Sequence, residues 1–169
     1  MYLSIMDTEA GELSVVADET GVVWAAGFGS TDALLARLAK LGGPAPEPRA
    51  DLGRVTSALR AYFDGDLAAI DDLPVTQRGG PFLELGWKLL REIPAGETIT
   101  YTELASRAGS PTAVRAAGQA CARNLIAPIV PCHRVLRTDG TLGGYAYGLP
   151  VKQWLLDHER GTAQTRLGA

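Results

Sequence analysis

Cysteine and histidine are scarce in this chain of 169 residues: there are two of each, Cys121, Cys132, His133 and His158. Two cysteines cannot build a disulfide framework, and so few thiols and imidazoles predict neither a four-ligand zinc site nor any other metal site. Residues 1–79 contain no cysteine or histidine at all. Long apolar runs are also missing. None approaches the roughly 18 residues of a membrane span, so no membrane association is expected. Residues 1–7 lack the basic stretch and following apolar stretch of an export signal, which makes the cytoplasm the expected location. The 10 prolines and 20 glycines are dispersed, which excludes collagen and low-complexity disorder. With 46% hydrophobic and 21% charged residues, the composition is that of an ordinary globular protein of one domain or two small ones.

Positive charge is in deficit, with 16 Lys and Arg against 19 Asp and Glu, and this alone argues against a polyanionic partner. The deficit is uneven. Residues 1–79 hold 6 basic and 12 acidic side chains, whereas residues 80–169 hold 10 and 7. Between residues 101 and 137 five arginines, Arg107, Arg115, Arg123, Arg134 and Arg137, stand against Glu103 alone. A basic segment inside an acidic chain is the footprint of a nucleic-acid contact whose acidic half faces away; five arginines on a solvated face would give the same count.

The patterning predicts an α+β fold of two small domains, residues 1–76 and 80–163. The first is an antiparallel sheet with helices, and the second is mostly helical with a helix-turn-helix. Short apolar runs at residues 2–6, 13–17 and 22–28, separated by turn-rich stretches, read as a meander of strands. Leu34, Leu35, Leu38 and Leu41 fall at helical spacing from Thr31, until Gly42-Gly43-Pro44-Ala45-Pro46 ends that helix as a stiff linker. A second helix, over residues 51–63, carries Val55, Leu59, Tyr62 and Phe63 on one side. The acidic, turn-like stretch 64–80 supplies the boundary.

From Pro81 the pattern is helical almost throughout. Phe82, Leu85, Leu89, Leu90 and Ile93 line one face, with Trp87 nearby, up to Pro94-Ala95-Gly96. Thr100-x-x-Glu103 is a capping-box pattern opening a short helix that Gly109 closes. Ser110 as N-cap and Pro111 at the first helical position start the next helix roughly two or three residues later, which is helix-turn-helix spacing. In that helix Val114, Ala117 and Cys121 are expected on the core side and Arg115, Gln119 and Arg123 on the outer side. Its many small residues, Ala113, Ala116, Ala117, Gly118, Ala120 and Ala122, permit close approach either to a neighbouring helix or to a nucleic-acid groove.

Reactive chemistry concentrates at Pro131-Cys132-His133-Arg134-Val135. Pro131 holds Val130 extended, and adjacent residues of a strand point to opposite faces, so Cys132 and His133 can cooperate only from a turn or helix start, or through a water. A thiol near its ordinary pKa is mostly protonated at neutral pH and becomes a strong nucleophile beside a histidine, an arginine or a helix N-terminus. A histidine acting as base needs its other nitrogen held, and the late helix over residues 150–160 offers Glu159. The dipeptide alone more often marks a buried structural cysteine beside a surface histidine.

That motif, followed by Gly143-Gly144-Tyr145 and Lys152-x-Trp154-Leu155-Leu156-x-His158-Glu159, resembles the O6-alkylguanine-DNA alkyltransferase family. The resemblance extends upstream, in family order, through Asn124, Arg115, Tyr101, Gly96-Glu97-Thr98, Ile93-Pro94, Trp87 and Phe82, and covers residues 82–159, roughly half the chain. It implies direct DNA repair by irreversible, single-turnover transfer of an O6-alkyl group from guanine in duplex DNA, with O4-alkylthymine a further candidate, to the protein's own cysteine after base flipping. On this resemblance Cys132 is the acceptor and His133 the base acting through a water. Glu159 orients His133, and Asn124 holds the active-site turn. Arg115 fills the hole left by the flipped base, with Thr112, Ala116, Gln119 and Arg123 also on the DNA side. Tyr101 lies at the pocket mouth and helps neutralise the leaving guanine. Val135, Tyr145, Ala146 and Tyr147 complete the substrate pocket. The partner implied is double-stranded DNA, the free protein is implied to be a monomer, and no cofactor is needed, because attack on a saturated carbon requires only a soft nucleophile and a stabilised leaving group.

The sequence departs from the family at several points. Leu125 follows Asn124 where proline is usual, Ala146 replaces a common serine, and Gly86 and Ala95 replace larger residues. Tyr147 replaces a small residue and is expected to narrow the pocket against bulky groups such as benzyl. The zinc ligands of some family N-terminal domains have no counterpart. The alternative within the same resemblance is a non-enzymatic sensor of alkylated bases, in which tryptophan replaces the cysteine; Cys132 speaks against it. A Cys-His hydrolase lacks an oxyanion-hole motif here. Cys121 is expected as a small buried helix residue, and His158 as a helix-end or core residue.

Overall fold

The computed structural model describes residues 1–161 and Leu167. The chain folds as two compact units, one made of Met1–Gln77 with Leu125–Ile129, the other of Arg78–Asn124 and the chain from Val130 through the last helix.

The first unit is built on strands β1 (Tyr2–Thr8), β2 (Gly11–Ala17), β3 (Val23–Phe28) and β4 (Glu47–Pro48), in the order β3-β2-β1-β4. The first three are the expected antiparallel meander. β1 alternates in burial, with Ser4, Met6 and Thr8 inward, whereas β2 is buried from Leu13 to Ala17. β4 corrects the sheet from antiparallel to mixed, because it pairs parallel with β1, Tyr2 opposite Glu47 and Leu3 opposite Pro48. Two residues, one a proline, carry no period-2 signal, so the linker concealed an edge strand. The other edge is met by single bridges, Val23 to Val75 and Ala26 to Ile126. The second of these explains why Leu125–Ile129 belongs with this unit.

Helix α1 (Thr31–Lys40) buries Leu34 and Leu38 and is capped by Ser30 Oγ, which accepts from Ala33 N. Leu41, expected on its apolar face, is the C-cap and is exposed. Helix α2 (Arg54–Phe63) starts three residues later than expected. The Asp51 carboxylate accepts from Gly53 N and Thr56 Oγ1, making a local turn that competes with helix.

The second unit contains α3 (Pro81–Leu90), β5 (Ile99–Thr100), α4 (Tyr101–Arg107), α5 (Val114–Arg123), a 3-10 turn (Cys132–Arg134), β6 (Val135–Leu136) and α6 (Leu149–Arg160). α3 is rotated from the expected face: Gly86, Trp87 and Leu90 are buried while Leu85 is exposed. The cause is Trp87, whose Nε1 donates to Ala120 O at 2.8 Å. That contact draws α3 onto α5 so tightly that a Cβ on Gly86 would lie 3.0 Å from the Ala120 Cβ.

Thr100 caps α4 as expected, its Oγ1 accepting from Glu103 N. The start of α5 does not follow expectation. Ser110 O accepts from Ala113 N, so Ser110 and Pro111 form a turn, and the helix opens at Val114 without a side-chain cap. The link between the two helices of the motif is therefore longer than predicted. Ala117 and Ala120 are the buried residues of α5; Val114 is exposed and Cys121 only half-buried. The helical pattern also fails between Asn124 and Gly148, where a single 3-10 turn is the only helix. The parallel pair β5–β6, with Ile99 opposite Val135 and Thr100 opposite Leu136, sets Tyr101 beside the Cys132 turn.

Candidate functional site

The buried run from Leu125 to Val130 delivers the chain to Pro131, after which Cys132, His133 and Arg134 form the 3-10 turn. Three residues per turn separate successive side chains by about 120°, not the 180° of a strand. This resolves the geometric conflict posed by adjacent Cys and His: Cys132 opens on a cavity while His133 and Arg134 turn toward α6.

Cys132 is held from one side by Asn124, the C-cap of α5. Asn124 Nδ2 donates to Val130 O at 2.7 Å and lies 3.3 Å from Cys132 Sγ. On the other side His133 Nε2 bonds Glu159 Oε1. Both side chains are buried. Arg134 engages the same carboxylate, Nε to Oε2 at 2.8 Å and Nη2 to Oε1 at 3.1 Å, and its Nη1 donates to Ile93 O at 2.6 Å. Burial opposes the charged form of both His133 and Glu159. In His133 burial prevails and lowers the pKa below the ordinary value, so the ring is neutral. In Glu159 burial is outweighed by His133 and Arg134, which bring the carboxyl down to about 2. An ionised Glu159 accepts the hydrogen bond of Nε2–H, which leaves the lone pair of the neutral ring on Nδ1. Nδ1 is buried and has no hydrogen-bond partner among the described residues. A basic nitrogen next to the thiol-bearing residue is therefore available.

The cavity measures about 890 Å³. α5 contributes Val114, Arg115, Gly118, Cys121 and Ala122 to its lining, the loop before α6 contributes Gly143, Gly144, Tyr145 and Ala146, and Tyr101, Arg137 and Cys132 complete it. The small residues of α5 thus do two jobs: Ala120 meets α3, while Gly118 and Ala122 leave room in the cavity. Burial pushes the Tyr101 phenol up to about 12, so it keeps its proton and can donate. Burial also raises the Cys121 thiol, which stays protonated. Tyr101 Oη rests on Gly143, where φ is +70° and a Cβ would sit 2.9 Å from the oxygen, so this position requires glycine on both counts.

The remaining expected site residues are dispersed. Thr112, Arg115, Gln119 and Arg123 are exposed and Ala116 is half-buried; of these only Arg115 borders the cavity. Val135 and Tyr147, expected in the pocket wall, are not in the lining. Val135 is fully buried and its carbonyl accepts from Lys152 Nζ at 2.8 Å; Tyr147 packs edge-on against Tyr145 with ring centroids 5.5 Å apart. Tyr147 therefore backs Tyr145, which lines the cavity. His158 stacks on Trp154 with ring centroids 4.8 Å apart.

Three residues stand differently from the sequence reading. Arg134, a motif neighbour of Cys132 counted also in the basic segment, is 3% exposed and locked to Glu159, which leaves four arginines for the surface. Arg137 borders the cavity. Lys152 is completely buried, and burial lowers its pKa from the ordinary lysine value. The available signal was its spacing from Glu159: positions 152, 155, 156 and 159 form one buried stripe of α6. Among the described residues no group of three or more His, Cys, Asp or Glu is arranged to hold a metal, and no helix is long and apolar enough to cross a membrane.

An α+β protein with a cysteine at the base of a cavity, a neutral histidine behind it and the second helix of a helix-turn-helix as one wall belongs to a class defined by a reactive thiol set next to a nucleic-acid-binding motif. The family model for the 6-O-methylguanine DNA methyltransferase, DNA binding domain, matches residues 81–161. A probable methylated-DNA--protein-cysteine methyltransferase of Acanthamoeba polyphaga mimivirus is 47% identical over 108 residues, 64% of this chain and 72% of its own length. The methylated-DNA--protein-cysteine methyltransferase of Shigella flexneri is 48% identical over 107 residues; the match spans 63% of this chain and 63% of that relative. The structure of Mycobacterium tuberculosis OGT in complex with DNA superposes with a TM-score of 0.83 at 32% identity, covering 99% of this chain and 98% of that one. The chain belongs to the O6-methylguanine-DNA methyltransferase family.

Proposed function

We propose that the protein repairs DNA directly, by transferring the alkyl group of O6-alkylguanine in duplex DNA to Cys132 in a single, irreversible turnover. The observation that carries this reading is the pairing of Cys132, at the base of the cavity, with a neutral His133 whose Nε2 is engaged by Glu159 and whose Nδ1 is open. His133 takes the thiol proton through a water at Nδ1, and the ionised Glu159 stabilises the imidazolium that forms. The thiolate sulfur attacks the alkyl carbon, the C–O bond breaks, and guanine leaves as an oxyanion that a proton donor must neutralise. The Tyr101 phenol, which retains its proton, suits that part.

Asn124 fixes the sulfur and the Val130 carbonyl at once, which restricts the thiol to one approach. The product is a thioether. It lacks the electrophilic carbonyl that lets a thioester hydrolyse, so the thiol is not regenerated and each molecule acts once.

The flipped base occupies the cavity, and Arg115, exposed on the rim, fills the gap in the duplex. Thr112, Ala116, Gln119 and Arg123 meet the DNA backbone and groove. Tyr145 and Ala146 wall the base. The free protein acts as a monomer, and cytoplasmic residence keeps Cys132 reduced. No metal or redox cofactor has a part in this chemistry.

The test is to incubate the protein with duplex DNA containing O6-methylguanine and weigh its peptides. A gain of about 14 Da, the mass of one CH2, is expected on the peptide bearing Cys132, at one equivalent per protein and none in Cys132→Ala. Tight binding without that gain would leave only a sensor of damaged bases.

A further inference from the structure

The alkyl-transfer reading gives no part to the most deeply buried charge in the second unit. Lys152 has no exposed surface, and its Nζ donates to three carbonyl oxygens, those of Val135 at 2.8 Å, Leu142, and Gly144 at 3.3 Å. An ammonium carries three N–H donors, and here each has an acceptor. Burying such a charge is costly, so its retention calls for a role that an apolar side chain of the same length cannot fill.

The three carbonyls come from two segments. Val135 opens β6, directly after the Cys132–Arg134 turn. Leu142 and Gly144 flank Gly143 in the loop that walls the cavity. That loop has no strand pairing. Its backbone bonds include the local turns Arg137 N to Thr141 O, Gly140 N to Arg137 O and Gly148 N to Tyr145 O, and near its start Thr138 Oγ1 lies 3.2 Å from Thr102 Oγ1 of α4. Tyr101 meets the loop at Gly143, and Lys152 Nζ lies 6.0 Å from the Tyr101 ring centroid. The ammonium therefore joins the strand next to the thiol to the loop that walls the cavity.

We propose that Lys152 is a positioning residue that clamps the 142–144 wall onto β6, and so sets where the alkylated base is held relative to Cys132. Its partners are backbone carbonyls, so it acts on the wall and passes no proton to the base or the sulfur. The inference rests on the alkyl-transfer reading for the nature of the substrate.

Lys152→Met keeps the length of the side chain and removes all three donors. In single-turnover transfer from O6-methylguanine duplex, the half-saturating DNA concentration is expected to rise about tenfold, with the limiting rate constant changed less than about threefold. Alkylation of Cys132 by iodoacetamide, which needs no wall, is expected to keep its wild-type pH profile. An unchanged half-saturating concentration overturns the clamp. So does an iodoacetamide profile displaced to higher pH, which would make Lys152 an electrostatic partner of the sulfur.

Should the variant fail to fold, the wild-type protein answers instead. The chain has three lysines, and Lys40 and Lys88 are exposed. In 15N NMR the Lys152 ammonium is expected to be protected from exchange with water, and exchange as fast as that of the other two overturns the proposal. A protected Lys152 in a wild-type protein that accepts no methyl group would sink the alkyl-transfer reading and leave the clamp itself standing.

Discussion

Among the described residues, the cores of the two units admit different kinds of polar group. The first unit buries hydroxyls: Ser4, Thr8, Ser14 and Thr56. Each is satisfied locally or across the sheet, as when Ser14 Oγ and Thr31 Oγ1 meet at 2.6 Å. The second unit buries an amide, an imidazole, a guanidinium, an ammonium and a carboxylate, in Asn124, His133, Arg134, Lys152 and Glu159. Buried ion pairs are poor stabilisers, because desolvation cancels much of the attraction. Five such groups around one thiol indicate a core selected for the geometry and protonation of its site, whereas the hydroxyl core is what stability alone would select.

The contrast breaks first on Glu159. Glu159→Gln leaves Arg134 buried with no counter-charge, and stability is expected to fall by about 3–5 kcal/mol. The counterpart in the other unit is Thr56→Val, which removes a fully buried hydroxyl that bonds Asp51 Oδ1 at 2.7 Å and is expected to cost about 1–2 kcal/mol. Denaturant titration of both variants makes the comparison. Equal losses would mean that the ionic cluster is no more critical than a core threonine.

Acid sharpens the same contrast. The folded pKa of Glu159 is about 2 against an ordinary 4.5, so its contribution is complete above the ordinary value and disappears as pH falls toward 2. His133 is also lowered, from 6.5, by burial; it too binds fewer protons folded than unfolded, and its contribution is lost as pH falls below 6.5. The two act in the same direction. Stability is expected to drop on acidification from about pH 6.5 downward, with about 3 kcal/mol attributable to Glu159. Melting temperatures of the wild type and of the double variant His133→Asn, Glu159→Gln give the measurement. If the variant retains the full acid slope, the carboxylates elsewhere, not this cluster, set the acid stability.

The same division governs what the sequence disclosed. In the first unit burial follows apolar runs in the strands and helical spacing in α1 and α2, so β1 to β3 and most of those helix faces were legible; β4 was hidden because two paired residues have no period. In the second unit the site residues came from the motif at residues 131–135 and the family resemblance, not from patterning. Patterning put Val114 and Leu85 in the core, although both are exposed, because it could not foresee that the Trp87–Ala120 contact would choose which face of each helix is buried. It counted Arg134 among arginines that could lie on a solvated face and gave Lys152 no place, because charged residues are normally solvated. Only the convergence of one carboxylate and four carbonyls on these two side chains, a property of tertiary structure, reverses that expectation.

The smallest expected effect concerns the DNA contact proposed for the five clustered arginines. Arg115 and Arg123 are exposed on α5, while Arg134 is consumed by Glu159 and the Ile93 carbonyl. Each phosphate contact contributes about 0.9 to the slope of log affinity against log salt. Arg123→Gln, which removes a proposed backbone contact, is expected to reduce the slope by about that amount. Replacing Arg134 by Met together with Glu159 by Leu removes a buried pair without stranding either charge, and is expected to leave the slope of duplex binding unchanged even though transfer is lost. A reduced slope in that double variant would mean that Arg134 leaves the core to contact DNA. The ionic core would then be part of the binding surface, and the division between a buried cluster that sets the chemistry and exposed arginines that set the affinity would not hold.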